Sequence, residues 1–172
     1  MHDDTFFPPE THVVITSTIS DSELSTYTFE DELRIIREIN PEWVIPFDFP
    51  VYGDMDADRR MRHVEQVANG IQDMQYILGD LTSQEIERVA EIKDLPKELV
   101  APQQDTTVIP LIKGVVPNER RKIINTGKSM NAPVYAKYGA QYMTVGGNGS
   151  HPELCRDLES IQSETNNHPV LV

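Results

Sequence analysis

Three short apolar runs punctuate the chain: Trp43-Val-Ile-Pro-Phe-Asp48, Thr106-Thr-Val-Ile-Pro-Leu-Ile-Lys-Gly114 and Tyr142-Met-Thr-Val-Gly-Gly147. Each stops abruptly at a polar residue or a glycine, and a helical pattern follows within a few residues. Val108, Ile109, Leu111 and Ile112 show no polar alternation, which predicts a strand buried on both faces, as in a parallel sheet covered by helices. Asp48, Lys113 and Gly146-Gly147 then fall at strand carboxyl ends, the edge where the loops of parallel α/β folds converge and carry chemistry.

The same pattern orders the rest of the chain. Residues 1–11, with Phe6-Phe7-Pro8-Pro9, read as an extended lead-in, and the β-branched run from His12 to Thr18 as a first strand over 13–18. Thr28 with Asp31 can cap a helix carrying Leu33, Ile36 and Ile39, closed by Asn40-Pro41 before a strand at 43–48. Met61, Val64, Val67, Ala68, Ile71, Met74 and Leu78 form one stripe of a helix from about 56 to 78, and core packing explains the stripe. Ser83 can cap a further helix to about Lys93. A proline-marked connection leads to a strand at 107–113, and Pro117 opens a basic amphipathic helix to about Ser129. Thr126-Gly-Lys-Ser129 is not a phosphate loop, because Lys122 stands where that motif needs glycine and the segment ends a helix rather than opening one. Pro133 to Lys137 is a short apolar stretch. A fourth strand is expected at 142–146, then a helix with capping-box spacing at Ser150 and Glu153, carrying Leu154, Leu158 and Ile161, then a terminal strand at 169–172.

This rhythm predicts one α/β domain over 1–172: a partial (β/α)8 TIM-type barrel of about four βα units plus a terminal strand, with helices on one side of a curved sheet. A complete barrel needs about 250 residues, so a chain of 172 residues ending in mid-strand is expected to be part of a larger barrel.

Composition adds constraints. The apolar share of 38% suits a packed core, and no apolar run reaches the roughly 20 residues of a membrane span. With an acidic start in place of a basic signal, the expectation is a cytoplasmic protein without a membrane partner. The single cysteine, Cys155, excludes an internal disulfide, and five scattered histidines suggest no metal site. A net charge of −13 repels nucleic acid in dilute salt. It also fits a halophilic protein, for which a Debye length of about 3 Å near 1 M salt removes that objection.

At a strand mouth, Asp48 can accept two parallel hydrogen bonds from a planar ligand with adjacent donors, such as guanine N1–H and its 2-amino group; a loop or capping aspartate is the plain alternative. Lys113 can donate to a carbonyl, nitrile or phosphate, or be a surface lysine. Gly146 and Gly147 would let a flat ring approach the backbone. A phosphate site over Gly146 to Gly149 at a helix start is a further possibility.

The order and spacing of these sites resemble the tRNA-guanine (queuine/archaeosine) transglycosylases and their DNA-modifying relatives. Thr28 to Asp48 resembles that family's helix and strand leading into its Phe-Asp-Glu-Cys motif, with Arg59-Arg60 at its basic pair. Ile109 to Gly114 resembles its Gly-Ile-Val-Gln-Gly segment, with Glu119-Arg-Arg121 at its acidic residue and arginines. Tyr138 to Gly147 resembles its Gly-Tyr-Ala-Ile-Gly-Gly. The resemblance spans about 25 to 160. It implies that Asp48 reads the base edge, Lys113 stands for a glutamine on the base with Gly114 beside it, and Gly146 and Gly147 offer backbone contacts.

Phe49-Pro50 replaces Glu-Cys, and Lys113 replaces glutamine. The family's Asp-Ser-Gly-Gly-Phe motif has no counterpart, and its nucleophilic aspartate and zinc cysteines are expected downstream, so no catalytic residue and no cofactor are assigned within the chain. The implied function is the base-recognition part of a nucleoside transglycosylase exchanging guanine for a 7-deazaguanine in DNA or tRNA, with the departures favouring the DNA-modifying branch of viruses and mobile elements. The alternative is a non-catalytic binding or assembly subunit that needs a partner chain, or further copies of itself, to complete the barrel.

Overall fold

The computed structural model describes residues 12–16, 26–46, 48–100, 106–139 and 151–172. Within them the chain is a mixed α/β structure with small parallel sheets. Its elements run β1 (Val14–Thr16), α1 (Phe29–Ile39), β2 (Trp43–Ile45), α2 (Ala57–Ile77), α3 (Ser83–Lys93), α4 (Lys97–Val100), β3 (Thr107–Val108), α5 (Pro117–Ser129), β4 (Tyr135–Ala136), α6 (His151–Glu164) and β5 (Val170–Leu171).

Helix boundaries follow local chemistry. The Thr28 side chain accepts from the Asp31 amide while Asp31 reaches back to the Thr28 amide, so α1 opens on a capping box. Asn40 closes it in the left-handed region. Asp56 caps α2 by accepting from the Asp58 and Arg59 amides. The cap of α3 is Thr82, one residue before the expected Ser83, because Thr82 and Glu85 form the reciprocal box. Pro117 occupies the first turn of α5, where its missing N–H costs nothing.

Strands β1, β2 and β3 are parallel neighbours in that order, with Val14 opposite Trp43 and Trp43 opposite Thr107. Strands β4 and β5 form a second parallel pair, Tyr135 opposite Val170. A single parallel bridge between Leu111 and Ala136 joins the two sheets, through Ile112 N–H to Ala136 O at 2.8 Å and Ala136 N–H to Pro110 O at 2.9 Å. The strand expected over 107–113 is therefore broken: β3 pairs with β2 only at Thr107 and Val108, and past Pro110, which has no N–H to donate, the chain makes one bridge to β4 on its other side.

The fourth strand expected at 142–146 and the Ser150 cap lie outside the described residues. A strand does form at Tyr135–Ala136, inside the stretch Pro133 to Lys137 that pattern alone left unassigned. The proline-marked connection likewise holds the short helix α4.

Side chains alternate across the strands as the period of two requires. Val44, Val108, Ile112 and Tyr135 point into the main core, which takes in Leu33 and Ile36 of α1, Val64, Ile71 and Met74 of α2, Ile123 and Ile124 of α5 and Ile161 of α6. Ile109, Leu111, Val134 and Ala136 form a separate cluster with Trp43 and Ile45 on the opposite face. The buried helical residues thus share one face of the strands, and the expectation of a strand buried on both faces holds for Val108 to Ile112. Ile39, expected inward, is exposed at the end of α1. Gly127 makes room for the Tyr135 ring, since a Cβ there would lie 2.4 Å from a ring carbon. The Thr126-to-Ser129 segment therefore serves packing at the end of α5.

Candidate functional site

Because β2 and β3 are adjacent and parallel, their carboxyl ends lie side by side, and the residues just beyond them meet. Lys113 Nζ donates to Asp48 Oδ2 at 2.6 Å across 65 residues of sequence. The side chains retain only 16% and 25% of their exposure, so this is a charge-assisted bond in a largely desolvated setting rather than a surface pair.

The loops that carry the pair are braced from beneath. Glu119, on the first turn of α5 and 2% exposed, accepts from the amides of Val115 at 2.7 Å and Val116 at 3.2 Å. It also accepts from Arg60 Nε at 2.9 Å, and Arg60 donates in turn to the Met55 carbonyl at 2.6 Å. One buried ion pair therefore ties the loop after β2 to the loop after β3. Burial alone would push the Glu119 carboxyl up, but the Val115 amide, the Arg60 guanidinium and the Val116 amide outweigh it and hold it below its ordinary range.

Gly114 lies beside Lys113 and serves the backbone. Its φ is +126°, and a Cβ would meet Glu119 Cβ at 2.6 Å and the Arg120 amide nitrogen at 2.8 Å. Only glycine lets the chain turn this tightly onto the start of α5. Gly146 and Gly147 lie outside the described residues.

Three further groups stand at this edge. Lys137 follows β4 directly and is 6% exposed, with its amide bonded to Leu171 O at 2.8 Å. Burial pushes its ammonium down to about 8; Asp157 pulls the other way, and Arg120 and Lys113 add to the depression. Arg120 Nη1 donates to Val115 O at 3.2 Å and lies 3.8 Å from Asp157 Oδ2 on α6. The rule that singled out Asp48 and Lys113, an apolar run ended by a charged residue, also fits Val134-Tyr-Ala-Lys137. That run was too short to be assigned as a strand. Asp157 carries no comparable signal, because its placement depends on how α6 packs.

A cavity of about 350 Å³ opens between α1 and α2 beside the end of β2. Phe29, Glu32, Pro46, Phe49, Gln66 and Asn69 line it, so it flanks Asp48 without including Asp48 or Lys113. Among the described residues no group of three or more His, Cys, Asp or Glu is placed to hold a metal ion, and no helix is long and apolar enough to cross a membrane. No family model, no curated protein and no solved structure matches the chain.

Proposed function

We propose that Asp48 and Lys113 form the base-recognition site of a nucleoside transglycosylase, taking guanine or a 7-deazaguanine as the base to be exchanged. The observation that carries this reading is their 2.6 Å contact at the mouth of two adjacent parallel strands. A donor and an acceptor held side by side complement a lactam edge, a carbonyl next to an N–H, which guanine presents as O6 and N1–H. Lys113 donates to O6, and Asp48 accepts from N1–H and the 2-amino group.

The chain order of the strands supports a barrel segment for this site: parallel neighbours in sequence order, buried helical residues on one face and a second apolar cluster on the other. The covalent step of such an enzyme needs an aspartate nucleophile that attacks the sugar carbon as the base departs. Asp48 and Lys113 are assigned to binding and orienting the base, and no nucleophile is assigned among the described residues. The departures Phe49-Pro50 and Lys113 favour DNA over tRNA as the polymer.

The second reading, a subunit completed by a partner chain or further copies, is favoured by one observation. Among the described residues β1 pairs only with β2 and β5 only with β4, and Val14 and Leu171 on those outer strands are exposed. Titration calorimetry with guanine, 7-deazaguanine and 1-methylguanine tests the base site. Binding of the first two and loss with the third, whose N1 carries no hydrogen, is expected; equal binding of all three, or of none, would overturn the assignment. Light scattering over a range of concentrations tests for self-association.

A further inference from the structure

The cavity between α1 and α2 is framed by two short stripes of side chains. Phe29 and Glu32 stand three positions apart on α1, while Gln66, Asn69, Gly70 and Asp73 follow at helical spacing along α2. Pro46 and Phe49, on either side of the mouth of β2, complete the wall. The Phe49 ring packs tilted against His63 with centroids 5.9 Å apart, and His63 Nδ1 donates to the Pro50 carbonyl at 2.6 Å, so this part of the wall is held in place. Gly70 is the telling position. It sits inside α2, where glycine weakens a helix relative to alanine, yet a Cβ there would meet nothing within 4 Å. Neither close packing nor backbone conformation calls for glycine at this point; what its missing side chain preserves is open volume.

We propose that this cavity binds a small organic cation, a protonated amine carrying a flat apolar group. Its volume of about 350 Å³ falls at the small end of the roughly 300–1,000 Å³ typical of ligand pockets. Phe29 and Phe49 are half-buried against the core and offer ring surface to a flat group, and aromatic faces also attract cations. Glu32 fixes the sign of the charge. Its side chain is only 1% exposed, and a carboxylate in so dry a wall attracts an ammonium far more strongly than one in water does. Asp73 at the rim pairs with Lys93, the carboxamides of Gln66 and Asn69 can accept from an ammonium, and none of the described lining side chains is cationic. The field nearby is negative as well: the Tyr27 hydroxyl is pushed up to about 12, by burial first and then by the charges of Glu32 and Asp31. The proposal does not rest on what the Asp48–Lys113 pair reads.

The test is titration calorimetry of the full chain with phenethylamine at neutral pH in about 0.1 M sodium chloride, where surface charges are already partly screened. Saturable binding at one site is expected. Phenethyl alcohol has the ring without the charge, and ethylamine has the charge without the ring. Each should bind about tenfold more weakly or worse, as losing a charge-assisted hydrogen bond or an aromatic contact does. 3-Phenylpropionate, with the charge reversed, should not bind.

Two variants locate the site. Gly70→Leu should fill the cavity and abolish phenethylamine binding, and Gly70→Ala should raise the melting temperature by about 2–4 °C, because a better helix former enters open space. Glu32→Gln should bring the amine down to the affinity of the alcohol; should that buried change prevent folding, the ligand series on the parent and the Gly70 variants still decide. Absence of saturable phenethylamine binding would overturn the proposal. So would ethylamine binding as well as phenethylamine, which would reduce the effect to general attraction by a chain of net charge −13. Equal binding of alcohol and amine, undiminished binding in Gly70→Leu, or a Gly70→Ala protein less stable than the parent would count against it in the same way.

Discussion

Arg60 Nε and Glu119 Oε1, 59 residues apart in sequence, meet at 2.9 Å with 13% and 2% of their side chains exposed. The pair joins the first turns of α2 and α5, so it acts on loop position as much as on stability. Replacing Glu119 by Gln leaves Arg60 charged and poorly matched in a dry setting, and the expected loss is roughly 3 kcal/mol in urea unfolding. Arg60→Met combined with Glu119→Leu should recover part of that loss, because an apolar pair leaves no stranded charge. A double variant less stable than either single one would contradict this account.

The same carboxylate sets an acid limit. Its folded pKa is held below the ordinary value of 4.5, so Glu119 contributes stability that is fully present above that value. As pH falls below about 4.5 and through the lower folded pKa, the contribution is lost. Urea midpoints measured from pH 6 downward should fall less steeply in Glu119→Gln than in the parent, since the variant has already given up that term.

Lys137 has the opposite linkage. Its folded pKa of about 8 lies below the 10.5 of the free side chain, so between those values the unfolded chain holds more protons and stability from this group rises with pH. The gain, up to roughly 3 kcal/mol before solvent relaxation is considered, should appear in the parent and be absent from Lys137→Met. Chemical unfolding of both proteins at pH 7 and at successive steps toward pH 10 would show it as a converging pair of curves, with the variant the more stable at neutral pH. Parallel curves would contradict it.

Asp48→Asn should weaken guanine or 7-deazaguanine binding by roughly 1.5–3 kcal/mol, because an amide turns one charged acceptor into a donor facing the base's own donors. Lys113→Gln should cost less, since an amide still donates to a carbonyl. A calorimetric series across the parent and both variants checks the order, and an Asp48→Asn protein that binds like the parent would remove Asp48 from the site.

Gly114→Ala should destabilise the fold by about 2 kcal/mol and weaken base binding with it. The added methyl meets Glu119 Cβ and the Arg120 amide, and the strain falls on the turn that sets Lys113. Thermal melts and base titration should move together; a change in stability without a change in affinity would make Gly114 purely structural.

Much of this arrangement was readable before any fold was drawn, for local reasons. The Thr28 and Asp31 box, the Asn40 stop and the Asp56-to-Leu78 stripe depend on neighbours within a few positions, and the structure reproduces them. The meeting of Asp48 and Lys113 was legible one step further away, because adjacent parallel strands put their carboxyl ends together. Thr82 rather than Ser83 was also readable, from the spacing to Glu85. Strand β4 was not. Val134 to Ala136 is too short for periodicity to separate strand from loop, and only pairing with β5 and Leu111 defines it. Lys137 as part of the edge was lost with it, and Asp157 joins only through the packing of a helix that returns late in the chain.

The lone bridge from Leu111 to Ala136 makes the sheet mechanically uneven. Among the described residues every other strand contact is a ladder of two or three paired residues, whereas two hydrogen bonds beside a proline hold this seam. A load pulling the strands apart would part them there first, like a zip at its missing tooth. The Asp48–Lys113 pair would travel with one half and Lys137 with the other, so small flexing at the seam changes the distance between Lys113 and Lys137 while leaving the ion pair intact.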